Sequence, residues 1–249
     1  FSPFFFRGRG GGGPSLSAPP SSPRRPPTPP APPRLCRGKH ANDQAYLLAR
    51  LPQPWLSRLR FPLGDYEKPQ VRELARAFGL AVADKPDSME ICFIPDGDYA
   101  AWLETQGTVP PPGDFVDRTG RVLGRHKGIH HYTLGQRRGL GIPAEHRLFV
   151  SALRPAEHQV VLSDGSDLMA DQVWGEDWNG LAPLTEGQEV TVRLRHSKTE
   201  TPARVSLTPA PCLDLLAPAR APTPGQLAVL YNGDVLLGSF WITGARRLS

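Results

Sequence analysis

Cysteines at positions 36, 92 and 212 are the strongest nucleophiles in this 249-residue chain. Cys92 has polar residues close by, with Lys85, Asp87, Ser88 and Glu90 just upstream. A lysine favours the thiolate and carboxylates disfavour it, while a cysteine between Ile91 and Phe93 also packs well as a small buried hydrophobe. Local sequence therefore leaves two readings open for Cys92, a reactive thiol or a core residue. Cys36 and Cys212 read as structural or incidental.

A second candidate is the stretch from Arg118 to Arg147. It holds Arg118, Arg121, Arg125, Lys127, Arg137, Arg138 and Arg147 against Glu145 alone, a local charge of +6. Within it, the glycines of Gly135-Gln136-Arg137-Arg138-Gly139-Leu140-Gly141 let backbone approach a partner, and Gln136 can hydrogen-bond a base or ribose edge. His130, His131 and Tyr132 precede this loop as stacking or hydrogen-bonding groups. If all six net charges met phosphates, binding would weaken with salt at a logarithmic slope of about −4 to −5. A solvated arginine-rich hairpin explains the same composition. His130 and His131 are not expected to hold a metal, because adjacent residues of a strand point to opposite faces, and no metal site is expected elsewhere.

Towards the C-terminus, Thr223-Pro224-Gly225-Gln226 reads as a turn before a strand, and Arg193 and Arg195 share one strand face. By themselves these are ordinary surface residues.

Composition narrows the class. Lys and Arg total 29 against 24 Asp and Glu, yet Arg7, Arg9, Arg24, Arg25 and Arg34 carry the whole excess of +5. A global argument from basicity to nucleic acid therefore fails, and any basic surface must be local. Three cysteines without C-x-x-C spacing exclude a zinc ribbon or a disulfide scaffold and fit a reducing compartment. No apolar run approaches the roughly 20 residues of a membrane helix. A soluble, cytoplasmic protein is expected, and a chain starting at Phe1 reads as a fragment or a processed product.

The elements that must position these residues change along the chain. Residues 1–35 hold 11 of the 29 prolines and 5 of the 25 glycines and are expected to be disordered. Tyr46, Leu47 and Leu51 recur at helical spacing, and Leu56 with Leu59 suggests a second short helix. A third starts at Pro69 and ends at Gly79. Ile91 to Ile94 reads as a buried strand, and Asp98 caps a helix that stops at Gly107. From Gly113 the chain turns to β: 115–117 pairs with 121–123 about a Thr119-Gly120 turn, and 148–153 pairs with 159–162. Further strands follow at 173–174, 190–194, 203–207, 213–216, 227–231 and 235–241. The last two are joined by Asn232-Gly233, a type I′ signal, and the set suggests a small barrel or sandwich.

Five strings occur in one order: Asp43-Gln44-Ala45-Tyr46, Phe61-Pro62-Leu63-Gly64, the run from Val82 to Ile94 containing Asp87-Ser88-Met89-Glu90-Ile91-Cys92-Phe93-Ile94, the run from His131 to Gly141, and Thr223-Pro224-Gly225-Gln226. Together they resemble the tRNA-specific 2-thiouridylases from about Arg34 to the C-terminus. The resemblance implies ATP-dependent sulfur transfer to the wobble uridine of tRNA, with the uridine O2 activated as an adenylate and a cysteine persulfide delivering sulfur to C2. Cys92 matches the persulfide carrier. Asn42, Asp43, Gln44, Arg137, Arg138, Arg193, Leu194 and Gln226 fall where tRNA contacts are implied. The family commonly has Lys at position 42 and often Tyr at position 194. Partners implied are tRNA and a persulfide-donating protein, with ATP as co-substrate.

The resemblance also implies a fold: α+β multidomain, with residues 36–95 the C-terminal remnant of an α/β PP-loop (adenine nucleotide alpha hydrolase-like) domain, 96–165 a small central α+β domain and 166–249 a C-terminal β-barrel. The S-G-G-x-D-S loop that binds ATP in the family, and the first catalytic cysteine, do not occur in this sequence. The expectation is that this chain alone does not catalyse the reaction. The alternatives are a non-catalytic tRNA-binding fragment, a truncated gene product and, more remotely, a redox protein centred on Cys92.

Overall fold

The last third of the chain alternates apolar and polar residues with period two, and that pattern closes on itself. In the computed structural model, which describes residues 31–38, 43–85, 94, 98–107, 109–196 and 199–248, six strands form a closed barrel. They are β5 (Met169–Gly180), β6 (Glu189–Arg193), β7 (Thr201–Ser206), β8 (Cys212–Arg220), β9 (Leu227–Asn232) and β10 (Val235–Arg247), in the order β10-β5-β8-β7-β6-β9. The inward set includes Val173, Val190, Val192, Ala203, Val205, Leu213, Leu230 and Phe240, all buried. Closure pairs every strand on both sides, which removes exposed edges.

The β9–β10 hairpin forms where expected, with a different turn. Val235 pairs with Asn232, so the two-residue loop is Gly233-Asp234. Only Gly233 has a positive φ, +55°. A type I′ loop needs two such residues, whereas glycine in first place is the II′ pattern.

The central unit contains β1 (Gly113–Val116), β2 (Val122–His126), β3 (Phe149–Arg154) and β4 (Gln159–Ser163). The two expected strand pairs are one sheet of order β2-β1-β4-β3, because β1 pairs in parallel with β4 from Asp114↔Gln159 to Val116↔Val161. Phe115, Val150, Val160 and Leu162 bury one face, covered by Leu140 from the following loop.

Upstream the structure divides. Ala45–Leu48 and Gln53–Arg58 are 3-10 turns, and Tyr46, Ala49 and Leu56 are buried against Leu227, Val229, Tyr231 and Leu236 of the barrel wall. The Tyr46 hydroxyl donates to the Leu227 carbonyl at 3.0 Å, and the Ala49 carbonyl accepts from Asn179 Nδ2 and Ser239 Oγ at 2.8 and 2.9 Å. β9 is therefore buried on both faces. Leu35, the last residue of the stretch expected to be disordered, belongs to the same cluster, and its carbonyl accepts from Leu236 N–H at 2.9 Å. The disorder expectation fails at Leu35 because a distant strand supplies the apolar contact that the local sequence lacks.

The helix α1 (Lys68–Ala77) opens on a capping box between Glu67 and Gln70 and ends at Gly79, at φ +66°. None of its residues is buried, and Phe78, Leu80 and Val82 after it are exposed. The helix α2 (Tyr99–Gln106) has the expected cap, Asp98 accepting from Ala101 N–H at 3.0 Å. The expected strand at 91–94 lies outside the described residues except for Ile94, which is buried and in no strand. Residues 1–30, including the glycine run at 10–13, also lie outside them. No helix among the described residues is long and apolar enough to cross a membrane.

Candidate nucleic-acid interface

Where the first 3-10 turn meets the barrel, four charged side chains gather over one phenol. The Asp43 carboxylate organises its own loop, Oδ1 accepting from Gly38 N–H at 2.8 Å and Ala45 N–H at 2.9 Å. Its Oδ2 accepts from Arg193 Nη1 at 3.3 Å. The same guanidinium donates through Nε and Nη2 to Glu200 Oε1 at 3.0 and 2.8 Å, and Arg37 reaches that oxygen as well. Arg37 lies 4.0 Å above the Tyr231 ring and Arg193 5.3 Å from it. Burial alone would raise the Glu200 carboxyl, but hydrogen bonds from Arg37 and Arg193 hold it below the ordinary value. Burial pushes the Tyr231 hydroxyl up to about 12, and its oxygen has no hydrogen-bond partner.

The Gly135–Gly141 loop is shaped from within. Gln136 Oε1 accepts from Thr133 N–H at 2.9 Å and its Nε2 donates to the Arg138 carbonyl at 3.0 Å. Gly135 and Gly139 take φ of +80° and +75°, a region that costs an L-residue strain. These bonds hold both ends of the Gln136 amide, read from the sequence as a base-edge contact, within the loop, and the Arg137 and Arg138 side chains stay exposed. The loop is anchored at both ends of Gln136: Gly135 N–H donates to the Val150 carbonyl at 2.8 Å, and Val150 N–H donates to the Gln136 carbonyl at 2.9 Å.

A second contact joins loop and barrel. A Cβ at Gly135 would lie 3.3 Å from Ala221 Cβ. The Ala221 carbonyl accepts from Arg195 Nη2 at 2.7 Å and Thr223 Oγ1 at 3.0 Å, and the 223–226 turn follows directly. The arginine loop, the Thr223–Gln226 turn and the end of β6 thus lie along one continuous path. Gln226 is exposed at the end of that turn, its backbone fixed by Gln226 N–H donating to Thr223 and its carbonyl accepting from Ile242 N–H.

The sequence candidates separate into groups. Asp43 and Arg193 come together; Gln44 lies beside them, exposed. Arg137, Arg138 and Gln226 are exposed along the path just traced. Leu194 is buried in the barrel core, so a contact there is limited to its backbone. Cys92 and Asn42 lie outside the described residues. Arg37, Glu200 and Tyr231 were not legible as partners, since each is far in sequence from Asp43 or Arg193.

The argument against His130 and His131 sharing a ligand does not hold. They sit on a 3-10 turn, Ile129–His131, where successive side chains are not opposed as on a strand. Both rings reach one carboxylate oxygen, that of Glu104 on α2, at 3.0 and 3.4 Å.

Three family models match the chain in succession: a tRNA methyl transferase HUP domain over residues 32–96, a tRNA methyl transferase PRC-barrel domain over 101–164 and an aminomethyltransferase β-barrel domain over 171–242. The tRNA-specific 2-thiouridylase MnmA of Lachnoclostridium phytofermentans is 43% identical over 204 residues, covering 80% of this chain and 57% of that protein. This chain belongs to the tRNA-specific 2-thiouridylase family. The protein of the same name from Acidithiobacillus ferrooxidans is 44% identical over 217 residues, or 84% of this chain and 62% of that protein, and that of Acidobacterium capsulatum is 43% identical over 218 residues. The chain therefore spans between 57% and 62% of the length of these family members. Its architecture matches the family expectation of a HUP-domain remnant, a middle domain and a C-terminal barrel.

Proposed function

We propose that this chain serves tRNA 2-thiolation as the part that holds tRNA, and that Cys92 is the persulfide carrier whose sulfur is destined for C2 of the wobble uridine. The observation that carries the proposal is the exposed Arg137-Arg138 pair on a loop braced by Gln136 and backed by the barrel. A rigid loop presents both guanidinium groups to phosphates at little ordering cost, and such contacts supply affinity without reading sequence. Gln226, Gln44 and the Asp43–Arg193 pair extend the surface, the last two acting chiefly by holding the 43–49 turn in place.

ATP is the family's co-substrate. Among the described residues of the HUP-matched region, two 3-10 turns and α1 form no junction of strand, glycine loop and helix that would cradle a triphosphate. These residues do not fit ATP, and its chemistry is assigned to none of them. This observation favours a second reading beside the enzymatic one, a tRNA-binding fragment without catalysis of its own. A gel-shift titration with bulk tRNA tests the shared core of both. Binding that weakens at least tenfold on joint Arg137→Glu and Arg138→Glu substitution is the expected result. Equal binding by wild type and variant, or none by the folded wild type, overturns the proposal.

A further inference from the structure

A cluster unused by this function lies at the base of the arginine loop. Glu104 on α2 and His130 and His131 on the facing 3-10 turn bring three ligand atoms within 4.8 Å of one another. His130 Nε2 stands 3.0 Å and His131 Nε2 3.4 Å from Glu104 Oε1, and the imidazole centroids are 4.2 Å apart. Zinc bonds to His nitrogen and carboxylate oxygen run near 2.1 Å, so two ligands of a tetrahedral ion stand about 3.3 Å apart. The two separations to Glu104 Oε1 are close to that edge, and the third lies within 4.8 Å.

The surroundings suit a cation. The His130 side chain is 8% exposed, and its Nδ1 is buried without a hydrogen-bond partner. The Glu104 and His131 side chains are 39% and 27% exposed, which leaves an approach from solvent and a coordination position for water. Gly128 keeps the site open, since a Cβ there would fall 2.5 Å from the His130 ring.

We propose that Glu104, His130 and His131 bind a divalent transition-metal ion of the zinc class, pinning α2 to the turn that leads into the arginine loop. Two imidazoles and one carboxylate with an open position make a set that zinc accepts readily and that magnesium, which demands oxygen ligands, does not. His130 Nδ1 lacks the outer hydrogen bond that usually strengthens a ligating histidine, and such losses weaken affinity by about 10–100-fold. Binding weaker than that of a structural zinc site follows.

The test is titration of the chelator-stripped full chain with Zn2+ by calorimetry, with Mg2+ as control and Co2+ as spectroscopic probe. One zinc per chain is expected, saturating below millimolar zinc, with a cobalt visible spectrum of nitrogen and oxygen ligation and a zinc-dependent rise in melting temperature. His131→Ala and Glu104→Ala should each weaken binding at least tenfold. Glu104→Gln preserves the side-chain shape and should also weaken it, so loss of fold is separable from loss of ligand. No saturable binding below millimolar zinc overturns the proposal. So does unchanged affinity in the folded variants, or a cobalt–thiolate charge-transfer band that places the ion on cysteine.

Discussion

Arg193 at the end of β6 and Asp43 in the N-terminal segment meet at 3.3 Å across 150 residues of sequence, with side chains only 14% and 12% exposed. The pair fixes where the 43–49 turn docks on the barrel. Truncating one member leaves the other charge partly buried without its match. Arg193→Ala removes bonds to both Asp43 and Glu200 and should destabilise the chain by about 1–3 kcal/mol in urea unfolding. Asp43→Ala should cost less, because Arg193 keeps Glu200. Equal stability of wild type and Arg193→Ala would show the cluster to be a surface ornament.

Tyr231 gives the opposite sign. Its hydroxyl is buried at the centre of the same cluster without a partner. Tyr231→Phe removes an unsatisfied polar atom while keeping the ring beneath Arg37, so unfolding free energy should stay level or rise by up to about 1 kcal/mol. A clear loss of stability would mean that the hydroxyl is satisfied in solution.

A pH dependence follows from His126. The ring is 4% exposed, with Nδ1 accepting from Gly128 N–H at 3.1 Å and Nε2 placed to donate to the His158 carbonyl at 3.0 Å. The bond from Gly128 needs Nδ1 unprotonated, whereas the donation from Nε2 survives protonation of the ring. Burial lowers its pKa most, with the His158 carbonyl and the Asp114 charge pulling the other way and Arg125 and His131 adding to the decrease. A folded pKa below the unfolded value near 6.5 gives a contribution present above that value and lost as pH falls through the folded pKa. Urea midpoints measured from pH 7.5 downward should fall below pH 6.5, and more shallowly in His126→Gln.

Salt dependence distinguishes phosphate contacts from a merely basic surface. Joint reversal of Arg137 and Arg138 should reduce the logarithmic slope of tRNA binding by about 1.5–2, near the value for two lost contacts. A slope that does not change would leave the loop out of the interface.

Catalysis has a sharper expectation. Supplied with ATP, tRNA and a persulfide donor, this 249-residue chain should form no 2-thiouridine, because the S-G-G-x-D-S loop is absent from its sequence. Nucleoside analysis of the tRNA product decides it: 2-thiouridine that disappears with Cys92→Ser would refute the expectation.

The strands were legible because each carries a local signal. The alternation Val190, Val192, Leu194 and the glycine after Asn232 mark β6 and the last hairpin without outside information. The parallel pairing of β1 with β4 left no such mark, since it depends on which strands meet. The same reason hid Arg37, Glu200 and Tyr231 around Arg193, whose contacts come from tertiary closure. His130 and His131 were misread because an expected strand is a 3-10 turn; Gly128, at φ +155°, was the available sign of a break just before them. Leu194, singled out as a tRNA contact by resemblance, already showed the inward phase of its strand.

The double burial of β9 sets an order of assembly. Leu35, Tyr46 and Ala49 pack on a wall made by Leu227, Val229 and Tyr231. During synthesis from the N-terminus, that wall emerges almost 200 residues after Leu35, so the leading segment stays undocked until the final hairpin leaves the ribosome. Its apolar residues must wait for the last strands to give them a surface, and closing so long a loop makes this docking a late, slow folding event.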